Sequence, residues 1–305
     1  MRISKQCLRH IPALATLAGL MMIAGCHSVE QDWSIGIYRG TSPFELAPTP
    51  ANPILTAEDL APLDALFLAD PFLLRHDGRL FLLFEVWRTG SGQGDIAWAE
   101  QGPTGEWRFG GVALDEPFHL SYPFVIEHEG EVWLIPETRA LREVRLYAAR
   151  RFPGPFELRK VLVSGKRYAD SSLVDWQGHS YLFTSPDNGT LELFVANTLG
   201  GDYHPHPASP IVTRNPCAAR PGGRPIVWQD HVIRFAQCDA PVYGTSVRAF
   251  EITQLSPTRY SEHPVGLDPL LAGRGGGWNA GGMHHVDPLP EGGGLLAAVD
   301  GWRRK

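Results

Sequence analysis

A hairpin recurs five times along the chain, and this repeat limits the fold more than any other feature. The copies are ADPFLLRHDGRLFLLFE (69–85), SYPFVIEHEGEVWLIPE (121–137), ADSSLVDWQGHSYLFTS (169–185), the fainter PGGRPIVWQDHVIRFAQ (221–237) and HHVDPLPEGGGLLAAVD (284–300). Each is an apolar strand, a short polar or glycine-rich turn and a second apolar strand, the signature of a β-hairpin. An alternating strand follows the first four copies: DIAWAE (95–100), VRLYAA (144–149), LELFVA (191–196) and SVRAFE (246–251). A further short strand comes next, such as WRFGGVAL (107–114) or FELRKVLV (156–163). Four strands in about 50 residues, repeated, predict the blades of a β-propeller. The fifth copy lacks its last two strands, and WSIGIY (33–38) with PFELAP (43–48) supplies them from the other end of the chain. The expected fold is therefore all-β: a five-bladed β-propeller over residues 33–305, closed by N-terminal strands that complete the last blade. Closure hides sheet edges that would otherwise invite aggregation. Composition agrees, because 33 Gly and 26 Pro among 305 residues exclude a mostly helical protein.

The first 25 residues read as an address. Arg2, Lys5 and Arg9 precede an apolar run from Ile11 to Ile23, too short to span a bilayer and suited to a signal-peptide core. The run ends in Ile23-Ala24-Gly25-Cys26, which resembles the lipobox of bacterial lipoproteins. That resemblance implies lipidation of Cys26, with palmitate among its acyl chains, a tether over residues 26–32, and a cell-envelope location. His27 in place of Asp implies the outer membrane rather than the inner. The net charge of −6 becomes −9 without the leader, so nucleic acid is not an expected partner. Cys217 and Cys238 remain as one pair, expected to form a disulfide in an oxidising compartment, with two buried thiols as the alternative.

Residues equidistant from a hairpin turn face each other. One offset gives the pairs Asp70/Glu85, Tyr122/Glu137, Asp170/Ser185, Gly222/Gln237 and His285/Asp300. If the hairpins are the inner strands, these ten residues share one end of the central channel. Such a ring of acids suits glycoside hydrolysis, in which one carboxyl acts as base or nucleophile and another as acid. Asp70/Glu85 and Asp70/Glu137 are both eligible pairs, with Asp170 in the same ring. Trp87, Tyr122, Gln237, Trp278, His284 and His285 are candidate substrate-binding residues. No cofactor is expected and no metal is assigned, although His284 or His285 with Asp287 or Asp300 leaves room for a structural cation in the funnel. Adjacent histidines on a strand point to opposite faces, so only one is expected to enter the channel. The glycine-rich GRGGGWNAGG (273–282) lacks the Gly-Lys-Ser/Thr of a P-loop and is expected to form a mobile funnel loop.

Two motifs resemble the five-bladed propellers of the arabinanase, xylosidase and fructosidase group, which is glycoside hydrolase family 43-like. Ala69-Asp70-Pro71-Phe72 is similar to the first-blade motif whose Asp is the general base in inverting members, which implies Asp70 as base and Glu137 or Glu85 as acid. Ala169-Asp170-Ser171-Ser172-Leu173 is similar to the third-blade motif whose Asp tunes the acid. Three further runs more closely resemble the propeller domain of glucosamine inositolphosphorylceramide transferases. They are His119 to Phe124 with Pro136-Glu137-Thr138, Arg234 to Gln237 with Tyr243-Gly244, and His284-His285-Val286-Asp287. The resemblance implies an oligo- or polysaccharide partner and a monomer. It does not carry over a transferase activity, since no transferase module is read in the sequence. The hydrolases place their acid Glu in a later blade than the tuning Asp, whereas no Glu occurs here between Glu192 and Glu251. A glycan-binding propeller without chemistry, or a scaffold in envelope polysaccharide assembly, is the alternative.

Overall fold

The computed structural model describes residues 31–305, so the leader and Cys26 lie outside the described residues. The chain forms five antiparallel sheets. The first blade runs Ala65–His76, Arg79–Arg88, Gln93–Gln101 and Trp107–Leu114. The second runs Ser121–His128, Glu131–Thr138, Glu143–Ala149 and Phe156–Ser164. The third runs Ala169–Trp176, His179–Asp187, Thr190–Ala196 and the short His204–Pro205. The fourth runs Ile226–Trp228, His231–Cys238, Ser246–Leu255 and Tyr260–Val265. The fifth joins Val286–Glu291 and Gly294–Arg304 to Gln31–Gly40 and Leu46–Pro48, which closes the ring as the repeat predicts. That closing seam is continuous, from Gln31 opposite Arg304 to Gly40 opposite Leu295. Among the described residues no helix is long and apolar enough to cross a membrane.

The hairpin turns explain why the repeat is visible. Asp77-Gly78, Glu129-Gly130, Gln177-Gly178, Gln229-Asp230 and Gly292-Gly293 all have positive φ at both positions. Two left-handed residues in succession make the tight turn whose twist matches the flanking strands. Inside, apolar residues of neighbouring blades interleave. Phe72 and Leu83 of the first blade share a cluster with Phe124 and Leu134 of the second and Leu173 and Leu182 of the third.

One buried ion pair ties three blades together. Arg224 Nε donates to Asp287 Oδ1 (2.8 Å) and its Nη2 to the Leu73 carbonyl (3.2 Å), while Leu73 N–H donates to Asp287 Oδ2 (2.6 Å). Asp287 is therefore engaged in structure and is not a free ligand. The glycine-rich segment is anchored at its end. Gly281 N–H donates to the Trp302 carbonyl and Trp302 N–H to the Gly282 carbonyl, so the end of this stretch is pinned to the last blade, while residues 274–277 stay exposed.

Candidate active site

The inner hairpins do not keep the simple register that the offset assumes. Ala69 pairs with Glu85, Ser121 with Glu137 and Ala169 with Ser185, one residue earlier than expected. In each blade the next two residues oppose a single partner residue, which is a β-bulge. Its first residue is Asp70, Tyr122 or Asp170, with φ of 53°, 46° and 51°. Left-handed backbone at a Tyr is uncommon, and a repeated outlier at one level of three blades marks a position held for a purpose.

The fourth blade departs further. Gln237 N–H donates to the Arg220 carbonyl, and Pro221 bridges Ala236. Arg220, not Gly222, therefore stands opposite Gln237. The hairpin register from Ile226 onward differs by two residues, which is what hides Arg220 from the repeat. Arg220 is buried at the centre of the cluster. Its Nε donates to Asp170 Oδ2 (2.5 Å), its Nη2 lies 3.8 Å from Glu137 Oε2, and its Nη1 lies 3.8 Å from Asp239 Oδ2. Gln237 Nε2 also donates to Asp170 Oδ2 (2.6 Å), so Gln237 clamps Asp170. A disulfide joins Cys217 to Cys238 and staples the segment bearing Arg220 to the strand end bearing Gln237 and Asp239.

Around this centre burial and like charge raise the proton affinity of three carboxyls, Glu137, Glu85 and Asp70. Burial, with the charge of Asp170 beside it, pushes Glu137 up to about 8 against the pull of Arg220 and Arg139. Burial, then Glu137 and Asp170, pushes Glu85 well above the ordinary carboxylate range. Burial, then Asp170 and Glu85, does the same to Asp70. Both oxygens of Glu85 and Oε2 of Glu137 are buried without a hydrogen-bond partner. These two carboxyls are therefore not tied down as backbone caps. Asp70 is the most exposed of the four proposed catalytic carboxyls, at 5%. Its Oδ2 accepts the Tyr122 N–H (3.2 Å).

His119 joins the cluster from the loop before the second blade, where no periodic signal marks it. Gly94 N–H donates to His119 Nδ1 (2.9 Å), which leaves the ring proton on Nε2, 3.8 Å from Glu85 Oε1. Burial holds His119 neutral, down at about 4. Gly94 has to be glycine here, because a Cβ would stand 2.7 Å from Glu85 Oε1 and 2.5 Å from the Leu120 carbonyl oxygen. Trp87 packs on His119, with ring centres 5.4 Å apart, and stacks on Phe67.

Asp300 is the structural acid of the ring. Its carboxylate accepts the backbone N–H of Asp70 (3.1 Å), His284 (3.1 Å) and His285 (3.0 Å). Burial alone would raise it, yet His284, His285 and the backbone donor hold it at about 2. Both histidines reach Asp70 Oδ1, His284 Nε2 at 3.9 Å and His285 Nδ1 at 3.7 Å. The expectation that only one would enter fails because residues 284–285 precede the strand Val286–Glu291 and escape its alternation. Asp70, His284 and Asp300 offer ligand atoms within 4.8 Å of one another, but His284 Nδ1 already sits 2.8 Å from Asp300 Oδ2. Tyr122 is a strut rather than a platform: its hydroxyl bonds Ser172 Oγ (2.8 Å) and the Gly223 backbone, and it is fully buried. Trp278 packs over Gly36 and Gly301 of the last blade.

These shifts fix a pH profile for stability. Glu137 is raised in the folded state, so its contribution is full below about 4.5 and is lost as pH rises through about 8. Asp300 is depressed, so its contribution is present above about 3.8 and is lost as pH falls through about 2. His119, depressed to about 4, and His285, to about 3, work the other way and lose their contributions as pH falls from about 6.5 through those values. Glu137 is therefore read on the alkaline side, where melting temperature is expected to fall between about pH 6.5 and pH 8. Glu137→Gln is expected to make the alkaline fall shallower; an unchanged slope would contradict the assignment.

The chain is similar to known proteins over nearly all of its length. Residues 26–301 match the family model described as glucosamine inositolphosphorylceramide transferase 1, N-terminal. Glucosamine inositolphosphorylceramide transferase 1 of Oryza sativa subsp. japonica is 37% identical over 306 residues, covering 90% of this chain and 40% of that protein. The Arabidopsis thaliana protein of the same name is 34% identical over 302 residues, covering 90% and 39%. The chain thus spans about two fifths of these plant relatives. Among solved structures, a putative glycoside hydrolase from Bacteroides ovatus superposes with a TM-score of 0.58 at 11% identity, covering 85% of this chain and 96% of that one. The catalytic domain of a Coprinopsis cinerea GH62 alpha-L-arabinofuranosidase gives 0.55 at 11%, covering 89% and 97%. At these identities the structural likeness speaks to the fold alone.

Proposed function

The chain belongs to the glucosamine inositolphosphorylceramide transferase 1 N-terminal family, and from that premise we propose that its propeller takes a glycan in the central funnel and acts on it through carboxyl chemistry. One observation carries this reading. Glu85 and Glu137 are buried beside Asp70, Asp170 and Arg220, and keep carboxyl oxygens that no protein group satisfies. Structural acids in native proteins are normally bonded, as Asp300 is here.

In a glycosidase-type reaction, Glu137 is the proton donor, since it holds its proton at neutral pH. Asp70, the most exposed of the four carboxyls, is the base and acts from its ionised form, so its raised proton affinity moves the alkaline requirement of turnover above the ordinary carboxylate range. Asp170 is fixed by Arg220 and Gln237 and sets the proton affinity of Glu137. The test is release of reducing ends from a panel of oligosaccharides and aryl glycosides. Asp70→Asn and Glu137→Gln are each expected to lower the rate by roughly 10²–10⁴-fold while keeping the fold. Equal release by wild type and Asp70→Asn sinks the catalytic reading.

The complete exclusion of Glu85 from solvent favours a second reading, a propeller that binds glycan without turnover. In that case affinity is measurable and no product forms. As to place, we propose a lipid tether at Cys26 on the outer membrane of a bacterial envelope. Palmitate labelling that survives Cys26→Ser would refute the tether.

A further inference from the structure

Asp300, His284 and Tyr243 stand in series at the funnel. Tyr243 lies on the loop that leaves the strand end bearing Gln237, between His231–Cys238 and Ser246–Leu255. Its hydroxyl is 3.1 Å from His284 Nε2. On the other side of that ring, His284 Nδ1 is 2.8 Å from Asp300 Oδ2. Asp300, held at about 2 and so ionised, only accepts, and draws the ring proton to Nδ1. Nε2 is then left to accept from the Tyr243 hydroxyl. A carboxylate, a histidine and a hydroxyl are thus each within hydrogen-bond reach of the next. In this arrangement a base activates a nucleophile and a third group orients the base.

Both ends of the series are held still. Trp33 packs on the His284 ring with centres 4.2 Å apart, and Asp300 also accepts the His284 backbone N–H (3.1 Å). The Tyr243 carbonyl accepts from Gln31 Nε2 (3.1 Å), and the next residue, Gly244, donates to Asp239 Oδ1 (3.1 Å). Burial pushes the Tyr243 hydroxyl well above its ordinary value; Arg220, against the ring with Cζ 5.4 Å from its centre, pulls the other way. The proton therefore leaves only as His284 takes it. Tyr243 is partly exposed, whereas Asp70, Glu85, Glu137 and Asp170 are buried. His284 Nε2, which receives the Tyr243 hydroxyl, is also 3.9 Å from Asp70 Oδ1. A ligand that reaches Asp70 thus reaches this hydroxyl.

We propose that Tyr243 is a covalent nucleophile, with His284 as its base and Asp300 as the group that orients His284. This rests on the glycan reading above and gives it a two-step course. First the Tyr243 oxygen bonds to the anomeric carbon as the glycosidic bond breaks. Its proton passes to His284, and the Glu137 proton passes to the leaving oxygen. Water then attacks the same carbon, Asp70 takes the water proton, and the carbon–Tyr243 bond breaks as His284 returns its proton to the phenolate. Passage of a proton from Asp70 to Glu137 restores the starting state. Two displacements at one carbon retain its configuration.

The experiment is labelling of the whole protein with benzenesulfonyl fluoride, mapped by peptide mass spectrometry. The tyrosine oxygen bonds to sulfur, fluoride leaves and the base takes the proton. Tyr260 is the internal control. Of the eight tyrosines only Tyr243 and Tyr260 are not buried, and the Tyr260 hydroxyl bonds Glu262 (2.6 Å) instead of a histidine. Tyr243 is expected to react roughly 10²-fold faster than Tyr260, as assistance by a base implies. His284→Asn keeps a nitrogen near Asp300 and removes the base; it is expected to erase that ratio, with melting curves confirming the fold. The second readout is the anomer first released from the aryl glycoside cleaved fastest, followed by proton magnetic resonance. Retention is expected, and Tyr243→Phe, which keeps the ring against Arg220, is expected to lower that rate by roughly 10²-fold or more. Equal labelling of Tyr243 and Tyr260, or a ratio that survives His284→Asn, overturns the inference. Inversion also overturns it and leaves the glycan reading standing. Selective labelling of Tyr243 with no glycoside cleaved supports the activated tyrosine and counts against the glycan reading alone.

Discussion

Gly223→Ala is expected to leave no stably folded protein. Gly223 has a φ of +131°, and a Cβ there would overlap the carbonyl oxygen of Val286 in the fifth blade. Neither neighbour can yield. The Gly223 N–H donates to Tyr122 Oη (2.7 Å), and its carbonyl accepts from Tyr122 Oη (3.1 Å) and Ser172 Oγ (3.0 Å). The Gly222 carbonyl accepts the Val286 N–H (2.9 Å). One short stretch thus joins the second, third, fourth and fifth blades on the channel axis. Overpacking costs about 1–3 kcal/mol and the backbone conformation roughly another 1–3 kcal/mol. Lost bonds to Tyr122 add to both, against a total stability of about 5–15 kcal/mol. Gly130→Ala is the control, because it also has positive φ but its Cβ meets nothing within 4 Å. Far-ultraviolet circular dichroism on heating should show a folded Gly130→Ala and an unfolded or insoluble Gly223→Ala. A Gly223→Ala protein that melts within a few degrees of wild type contradicts the packing described for the axis.

Arg220→Met is expected to cost about 3–5 kcal/mol at pH 7.5, the usual penalty for leaving buried partners uncompensated. Asp170 loses its closest cation, and Asp239 and Glu137 lose the guanidinium at 3.8 Å. Arg220 also lowers the proton affinity of Glu85, Glu137, Asp70 and Asp239. Without it these groups hold protons to higher pH. Acidification then neutralises charge that the variant cannot pair, so the deficit against wild type should shrink near pH 4.5. Urea melts at the two pH values measure this. A deficit that is the same at both would show that Arg220 acts through packing alone.

The fold was legible because its signal is local and repeated. Each hairpin carries a two-residue turn of left-handed residues between apolar strands, and the orphan strands at 33–38 and 43–48 fit the gap in the fifth copy. The acids were legible as a phase of that repeat, and the structure brings Asp70, Glu85, Glu137 and Asp170 into one cluster. Arg220 was not, because the fourth copy shifts by two residues and hands its place in the offset to Gly222. His119 was not, because it rises from a loop held by Gly94, which touches it in space but lies 25 residues earlier in the chain. The bulges at Asp70, Tyr122 and Asp170 leave no mark in the sequence pattern, since a single extra residue keeps the hairpin's apolar character. Tyr122 shows the limit of residue type as a guide: an aromatic at the expected mouth became a strut because its hydroxyl found Ser172 and Gly223 across the axis.

The central claim is that the acid cluster on the propeller axis receives a sugar. A crystal structure of the Glu137→Gln protein, soaked with the oligosaccharide of the reducing-end panel that it binds best, tests it most directly. The account predicts a terminal sugar within hydrogen-bond reach of Asp70 and Glu85, with Tyr122 unmoved beneath it. Sugar density confined to the outer faces of the blades, with Glu85 still dry and unpartnered, would contradict it.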